Sequence, residues 1–191
     1  MADAPFDADP FDLDRFVTAQ AVNYADALRE LRAGRKETHW MWYVLPQLRG
    51  LGRSDFAHFY GLTGLEEARA YLAHPILGPR LLDCARAILS HPDRSAERIM
   101  GRVDGQKLQS TATLFALAAE ATGRGPRPGL DPGPPAPPAS GLAGGPGSGP
   151  GRDVRQPSAP AGTAAGIAEA MRAILSRHYG GQPCPRTLAL L

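Results

Sequence analysis

Residues Gly34 to Ser54 read Gly-Arg-Lys-Glu-Thr-His-Trp-Met-Trp-Tyr-Val-Leu-Pro-Gln-Leu-Arg-Gly-Leu-Gly-Arg-Ser and hold both tryptophans of the chain, Trp40 and Trp42. An indole buries a large apolar area while its N–H still needs an acceptor. Two of them beside Lys36, His39 and Gln47 fit a half-polar, half-apolar pocket wall, and equally a core segment whose polar neighbours point outward. Thr38 is placed to N-cap a short helix from Trp40 to Val44, which Pro46 ends because the residue before a proline avoids the α region. His39 and Trp42 then lie three apart on one face. Gly50 and Gly52 make a turn, and Ser54 caps a further short helix, Asp55 to Tyr60.

Upstream, Leu13, Phe16, Val17, Gln20, Tyr24, Ala27, Leu28 and Leu31 recur at three- and four-residue steps, and Gly34 supplies the stop. Gln20 breaks that apolar stripe, so it must find partners or face a cavity. Downstream, Thr63-Gly-Leu-Glu66 has capping-box spacing and opens a helix with Leu65, Ala68 and Leu72 on one side, closed by His74-Pro75. Pro79 fits the first turn of another helix, with Leu81, Leu82, Cys84, Ala85, Ile88 and Leu89 inward, ended by His91-Pro92. Ser95 caps a brief segment, Ala96 to Met100, and Asp104 caps a helix to about Ala121 whose Leu108, Thr111, Leu114, Phe115 and Ala118 keep the 3.6 period. Ala164 to Tyr179 repeats the pattern with Ile167, Met171, Ile174 and Leu175, stopped by Gly180-Gly181. No segment alternates with period two. The reading is an all-α domain of about seven to nine mostly short helices.

The 191 residues are 43% hydrophobic and 21% charged, ordinary for a globular chain, but 22 Gly and 19 Pro are too many for one compact unit. Most of the excess lies between residues 122 and 162, which cannot repay its ordering entropy by burial and reads as a disordered insertion. Residues 1–10 are acidic and read as mobile, leaving 11–121 plus 163–191 as a single helical domain. Net charge is +2 and the pI about 8.7, too mild to argue for a nucleic-acid partner. The absence of a signal peptide or of an apolar run of membrane-spanning length argues against a membrane partner and for a cytoplasmic protein. Cys84 and Cys184 lack metal-ligand spacing and read as reduced thiols, so no metal and no cofactor are expected. The cluster Arg29, Arg32, Arg35 and Lys36 falls at a helix end, where cations complement the macrodipole.

The run His39-Trp40-Met41-Trp42, Pro46-Gln47 and Gly50-Leu51-Gly52-Arg53-Ser54 resembles the signature of the family known as domain of unknown function number 1810. Further matches are Arg15-Phe16-Val17, Ala19-Gln20 and Tyr24 upstream, and Glu67-Ala68, Tyr71-Leu72, His74-Pro75, Leu77-Gly78-Pro79-Arg80-Leu81, Asp104, Lys107-Leu108, Ser110 and Thr113-Leu114-Phe115 downstream. The likeness resumes at Tyr179-Gly180-Gly181 and runs through Pro183, Pro185, Thr187 and Leu188, which implies that the tail docks on the main body. What the resemblance implies is a small, soluble, all-helical fold with no assigned activity. The Ala-Gln and aromatic pattern also loosely resembles NADAR proteins, which act on ADP-ribose derivatives.

No established catalytic motif is present. Candidate ligand-binding residues are the polar and aromatic groups at helix starts and turns: Gln20, Lys36, His39, Trp40, Trp42, Gln47, Ser54, His74, Arg80, Asp104 and Lys107. Helix N-termini near Thr38 and Asp104, each beside a lysine, suit an anionic small molecule. Each also has a structural reading: Asp104 as a cap, Lys107 as a solvated charge, Arg80 as partner to Asp83 or Glu67. Two functions follow. One is a domain that binds, or hydrolyses, a nucleotide-like or other phosphorylated small molecule. The other is a non-catalytic interaction module using the same aromatic segment; the oligomeric state is open in both.

Overall fold

The computed structural model describes residues 9–123 and 164–191. The reading of residues 1–10 as mobile lies outside the described residues over 1–8, and that of 122–162 as a disordered insertion over 124–162; residues 122 and 123 belong to α7. Nine helices are found among those described: α1 Asp14–Ala33, α2 Met41–Val44, α3 Asp55–Phe59, α4 Leu65–Ala73, α5 Leu77–Leu89, α6 Ala96–Met100, α7 Arg102–Gly123, α8 Ala164–Tyr179 and α9 Pro185–Leu190. The fold is all-α, and its one extended pairing among the described residues is an isolated parallel bridge between Leu48 and Leu62.

The core forms where the long helices meet. α7 packs against α4, α6 and α8, α5 lies against α1 and α8, and α2 sits on α1. Phe16, Leu31, Trp40, Tyr71, Leu81, Ile88 and Phe115 are all but inaccessible to solvent. Ile167, Met171, Ile174 and Leu175 of α8 are buried with them, each contributing about 1.5–3 kcal/mol against an exposed side chain. Gly78 lets α5 follow α4 closely: a Cβ there would lie 2.2 Å from the Leu72 carbonyl oxygen.

Several local expectations change register. Thr38 caps nothing; its hydroxyl donates to Glu30 at 2.6 Å, and α2 begins after Trp40 without a side-chain cap. Glu67, not Glu66, reaches back to Thr63, accepting from its backbone N–H at 2.8 Å and its hydroxyl at 2.7 Å. α7 starts at Arg102, so Asp104 lies in its first turn and is not its cap. Of the cations around the end of α1, Arg32 lies in its last turn, and Arg35 donates its backbone N–H to the Glu30 carbonyl at 3.0 Å. The last carbonyls of α1 also meet the loop after α5, Leu31 the His91 ring at 2.9 Å and Ala33 the Arg94 guanidinium at 3.2 Å, which donates to the Gly34 carbonyl as well at 2.9 Å. α9 went unread because a six-residue helix behind two prolines has no measurable periodicity, yet Pro185 starts it in the position proline favours. Ser54 and Ser95 do cap, accepting from Ala57 and Arg98 at 3.1 and 3.2 Å.

Candidate functional site

The tryptophan segment folds onto the end of α1 and the start of α7. Trp40 is fully buried, and its indole N–H donates to Glu30 Oε2 at 2.8 Å. The same carboxylate accepts from the backbone N–H of Glu37 at 2.8 Å and of Thr38 at 3.1 Å. Burial acts to raise the Glu30 carboxyl. The hydrogen bonds from Glu37, Thr38 and Trp40 outweigh it and hold the group down at about 2. Trp40 therefore offers no ring face to a ligand; it is a core residue with a satisfied N–H.

Above it lies a three-charge cluster. Lys36 Nζ sits 2.8 Å from Asp104 Oδ2, Lys107 Nζ 2.7 Å from Asp104 Oδ1, and each ammonium faces an indole, Lys36 over Trp40 at 4.9 Å and Lys107 over Trp42 at 5.0 Å. Burial pushes the Asp104 carboxyl up, but the two lysines pull it below its usual range. Lys36 Nζ also donates to the Thr38 carbonyl at 2.6 Å. Gln47 makes a long 3.5 Å contact with the Lys107 carbonyl, while Thr111 donates to the Leu45 carbonyl at 2.9 Å. The cavity between Trp42, Gln47, Tyr60 and Lys107 is about 10 Å³, room for a single water.

Lys36, Trp40, Trp42, Gln47, Asp104 and Lys107 are thus brought together. His39 is their sequence neighbour, exposed, and among the described residues its ring makes no hydrogen bond. Gln20 and Arg80 belong to a second cluster. Gln20 is buried and donates to the Tyr43 carbonyl at 2.7 Å and the Tyr71 hydroxyl at 3.0 Å, while Arg80 reaches its carbonyl at 3.3 Å and lies 4.6 Å over Tyr24. Glu67, an expected partner of Arg80, is paired with Arg15. Ser54 and His74 serve helix starts, the His74 ring accepting from the N–H groups of Ile76 and Leu77 at 3.2 and 3.3 Å. Cys84 is buried, which pushes its thiol up to about 12, and it has no activated-nucleophile character. No group of three or more His, Cys, Asp or Glu side chains among the described residues could hold a metal. No helix there is long and apolar enough to cross a membrane.

The larger opening lies elsewhere. A groove of about 600 Å³ runs between the start of α1 and α3, lined by Asp12, Asp14, Val22, Tyr43, Phe56 and Phe59 among others. No residue of α3 is buried; Phe56 and Phe59 are 56% and 55% exposed, and Val22 on α1 is 77% exposed. These rings are nonetheless held. Phe56 packs on Trp42 at 5.4 Å and on Tyr60 at 6.2 Å, Phe59 meets Tyr60 edge-on at 4.8 Å, and Tyr60 touches Tyr43 and Phe16 at 5.3 and 5.8 Å. Phe16 continues through Tyr71 to Phe115, so the ring chain reaches from the surface into the core. The three aromatics of Asp55-Phe-Ala-His-Phe-Tyr60 carried this signal in the sequence.

Over residues 10–125 the chain matches the family model described as "Protein of unknown function (DUF1810)", and it belongs to that family. It is similar to the solved crystal structure of the conserved hypothetical protein Rv1873 from Mycobacterium tuberculosis, with 40% identity and a TM-score of 0.70, over 96% of this chain and 98% of that one. No curated protein matches it.

Proposed function

We propose that this chain is a non-catalytic interaction module that binds another protein through the aromatic groove between α1 and α3. The observation that carries this reading is the pair Phe56 and Phe59, more than half exposed on a helix with no buried residue yet fixed by ring contacts that lead into the core. Exposed, pre-ordered aromatic rings are what an interface anchor requires, because little side-chain entropy remains to be lost on docking. The recognition surface is displaced from the tryptophan segment itself, which contributes Tyr43 to the groove and Trp42 behind Phe56. The test is selection of 12-residue peptides from a display library on the intact protein. Enriched peptides are expected to bind the Phe56→Ser/Phe59→Ser variant at least about 10-fold more weakly, with circular dichroism unchanged. Failure to enrich any sequence, or equal binding to the variant, would sink the proposal.

A second reading is favoured by the cluster at the start of α7, where two lysines share one carboxylate and leave an excess positive charge against two indoles. Here a nucleotide-like or other phosphorylated molecule would be held by Lys107, which is 24% exposed. The 10 Å³ cavity beside Lys107 is far below the few hundred Å³ of a ligand pocket, so this reading stands second. It predicts that a nucleotide or sugar phosphate at 100 times its Kd raises stability by about 2.7 kcal/mol and that Lys107→Ala abolishes the rise. A thermal-shift screen in which no such compound moves the melting curve disposes of it.

A further inference from the structure

We infer that the partner segment received by the groove is basic: a short stretch pairing two or more bulky apolar side chains with flanking lysine or arginine. The inference rests on the groove being an interface, and it adds the charge of what fills it. Two carboxylates, Asp12 and Asp14, stand exposed in the lining. Neither side chain has a hydrogen-bond or ion-pair partner among the described residues. The one cation in the lining is already committed. Arg15 is 7% exposed and pairs with Glu67, and its guanidinium also donates to the carbonyls of Phe11, of Asp12 at 2.7 Å and of Phe59 at 3.2 Å. The groove thus presents an apolar floor with net negative charge at one end, on a chain whose overall charge is +2.

That arrangement selects among partners. An anionic lipid surface and a nucleic-acid backbone both bring negative charge to Asp12 and Asp14 and are repelled. An acidic peptide is disfavoured for the same reason, and a wholly apolar one would leave the charged end uncompensated. A basic segment places its ammonium or guanidinium groups against the two carboxylates while its apolar side chains cover Phe56, Phe59 and Val22. The pairs would be solvent-exposed, so they steer and discriminate more than they add to affinity.

The peptides selected on the intact protein provide the test, compared with a charge-reversed version of each and with an Asp12→Asn/Asp14→Asn variant. Asparagine keeps the shape of both side chains and tolerates the positive φ of 50° at Asp12. The enriched pool is expected to carry an excess of lysine and arginine. Its binding should weaken about 5- to 10-fold in the asparagine variant and on raising salt from about 0.05 to 0.3 M, and charge reversal should abolish it. If enriched peptides are neutral or acidic, or bind the asparagine variant equally at every salt concentration, the charge inference is overturned. Loss of binding in Phe56→Ser/Phe59→Ser would in that case leave the groove itself standing. A library that enriches nothing overturns both.

Discussion

Glu30→Ala is expected to destabilise the protein by about 3–5 kcal/mol, since it strips the acceptor from the Trp40 indole and from the N–H groups of Glu37 and Thr38. Glu30 is 4% exposed, so water cannot readily replace the carboxylate. Glu30→Gln should lose less, keeping one oxygen. Its comparison with the parent also gives a pH signature. The folded-state carboxyl is held at about 2, below its unfolded value, so the stabilisation is fully present above about pH 4.5 and is lost as pH falls toward 2. The shift corresponds to on the order of 3 kcal/mol at pH 7, of which about half is gone by pH 3. Urea melts of the two proteins at pH 7 and pH 3 measure this. An advantage over Glu30→Gln of the same size at both values would show that the carboxylate is not what holds the tryptophan segment.

Arg15 and Glu67 are the second site where a large effect is expected. Glu67 is 2% exposed and Arg15 7%, and between them they join the start of α1, the end of α3 and the start of α4. Removing either partner leaves a buried charge without its counterion, which costs about 3–5 kcal/mol. The double replacement Arg15→Met/Glu67→Leu is expected to be less damaging than the two single changes added together, because it leaves neither charge stranded. Strict additivity in chemical denaturation would mean that the pair does not act as a unit. Arg15→Met alone should also loosen Phe59, whose carbonyl Arg15 holds, and so weaken peptide binding as well as stability.

The longer helices were legible because each carries a 3.6-period stripe long enough to be read, and α1, α5 and α8 fall within two residues of the expected bounds, while the five-residue α6 was legible from its Ser95 cap. Glu30, Arg15 and Glu67 were not legible as buried groups, since a charged residue on a helix normally marks its solvated side. One clue existed: the indole N–H of Trp40 demanded an acceptor, and Glu30 lies three residues beyond Ala27 on the buried side of α1. Lys36, Asp104 and Lys107 were legible as polar groups beside two helix starts, although their mutual pairing depends on a tertiary contact between the loop after α1 and α7. Ser54 and His74 entered the candidate set because a capping side chain and a ligand-binding one look alike at a helix start. The groove was not legible because Asp55 to Tyr60 reads only as a short capped helix, and five residues are too few for a periodicity that says which side faces the core; in the fold no residue of α3 is buried.

The packing of α8 against α7 and α5 sets the thermodynamics of the chain between them. Once two helices are docked, the segment joining them enters the free energy only through the logarithm of its length, so doubling it costs about 0.6 kcal/mol. Changing the number of residues between α7 and α8 is accordingly expected to cost little stability, which thermal melts of variants with a shorter join would measure. A covalent join holds α8 at an effective concentration that a separate peptide would have to match from solution. Severing the tether would leave every buried contact of Ile167, Met171 and Ile174 available and turn folding into a bimolecular association.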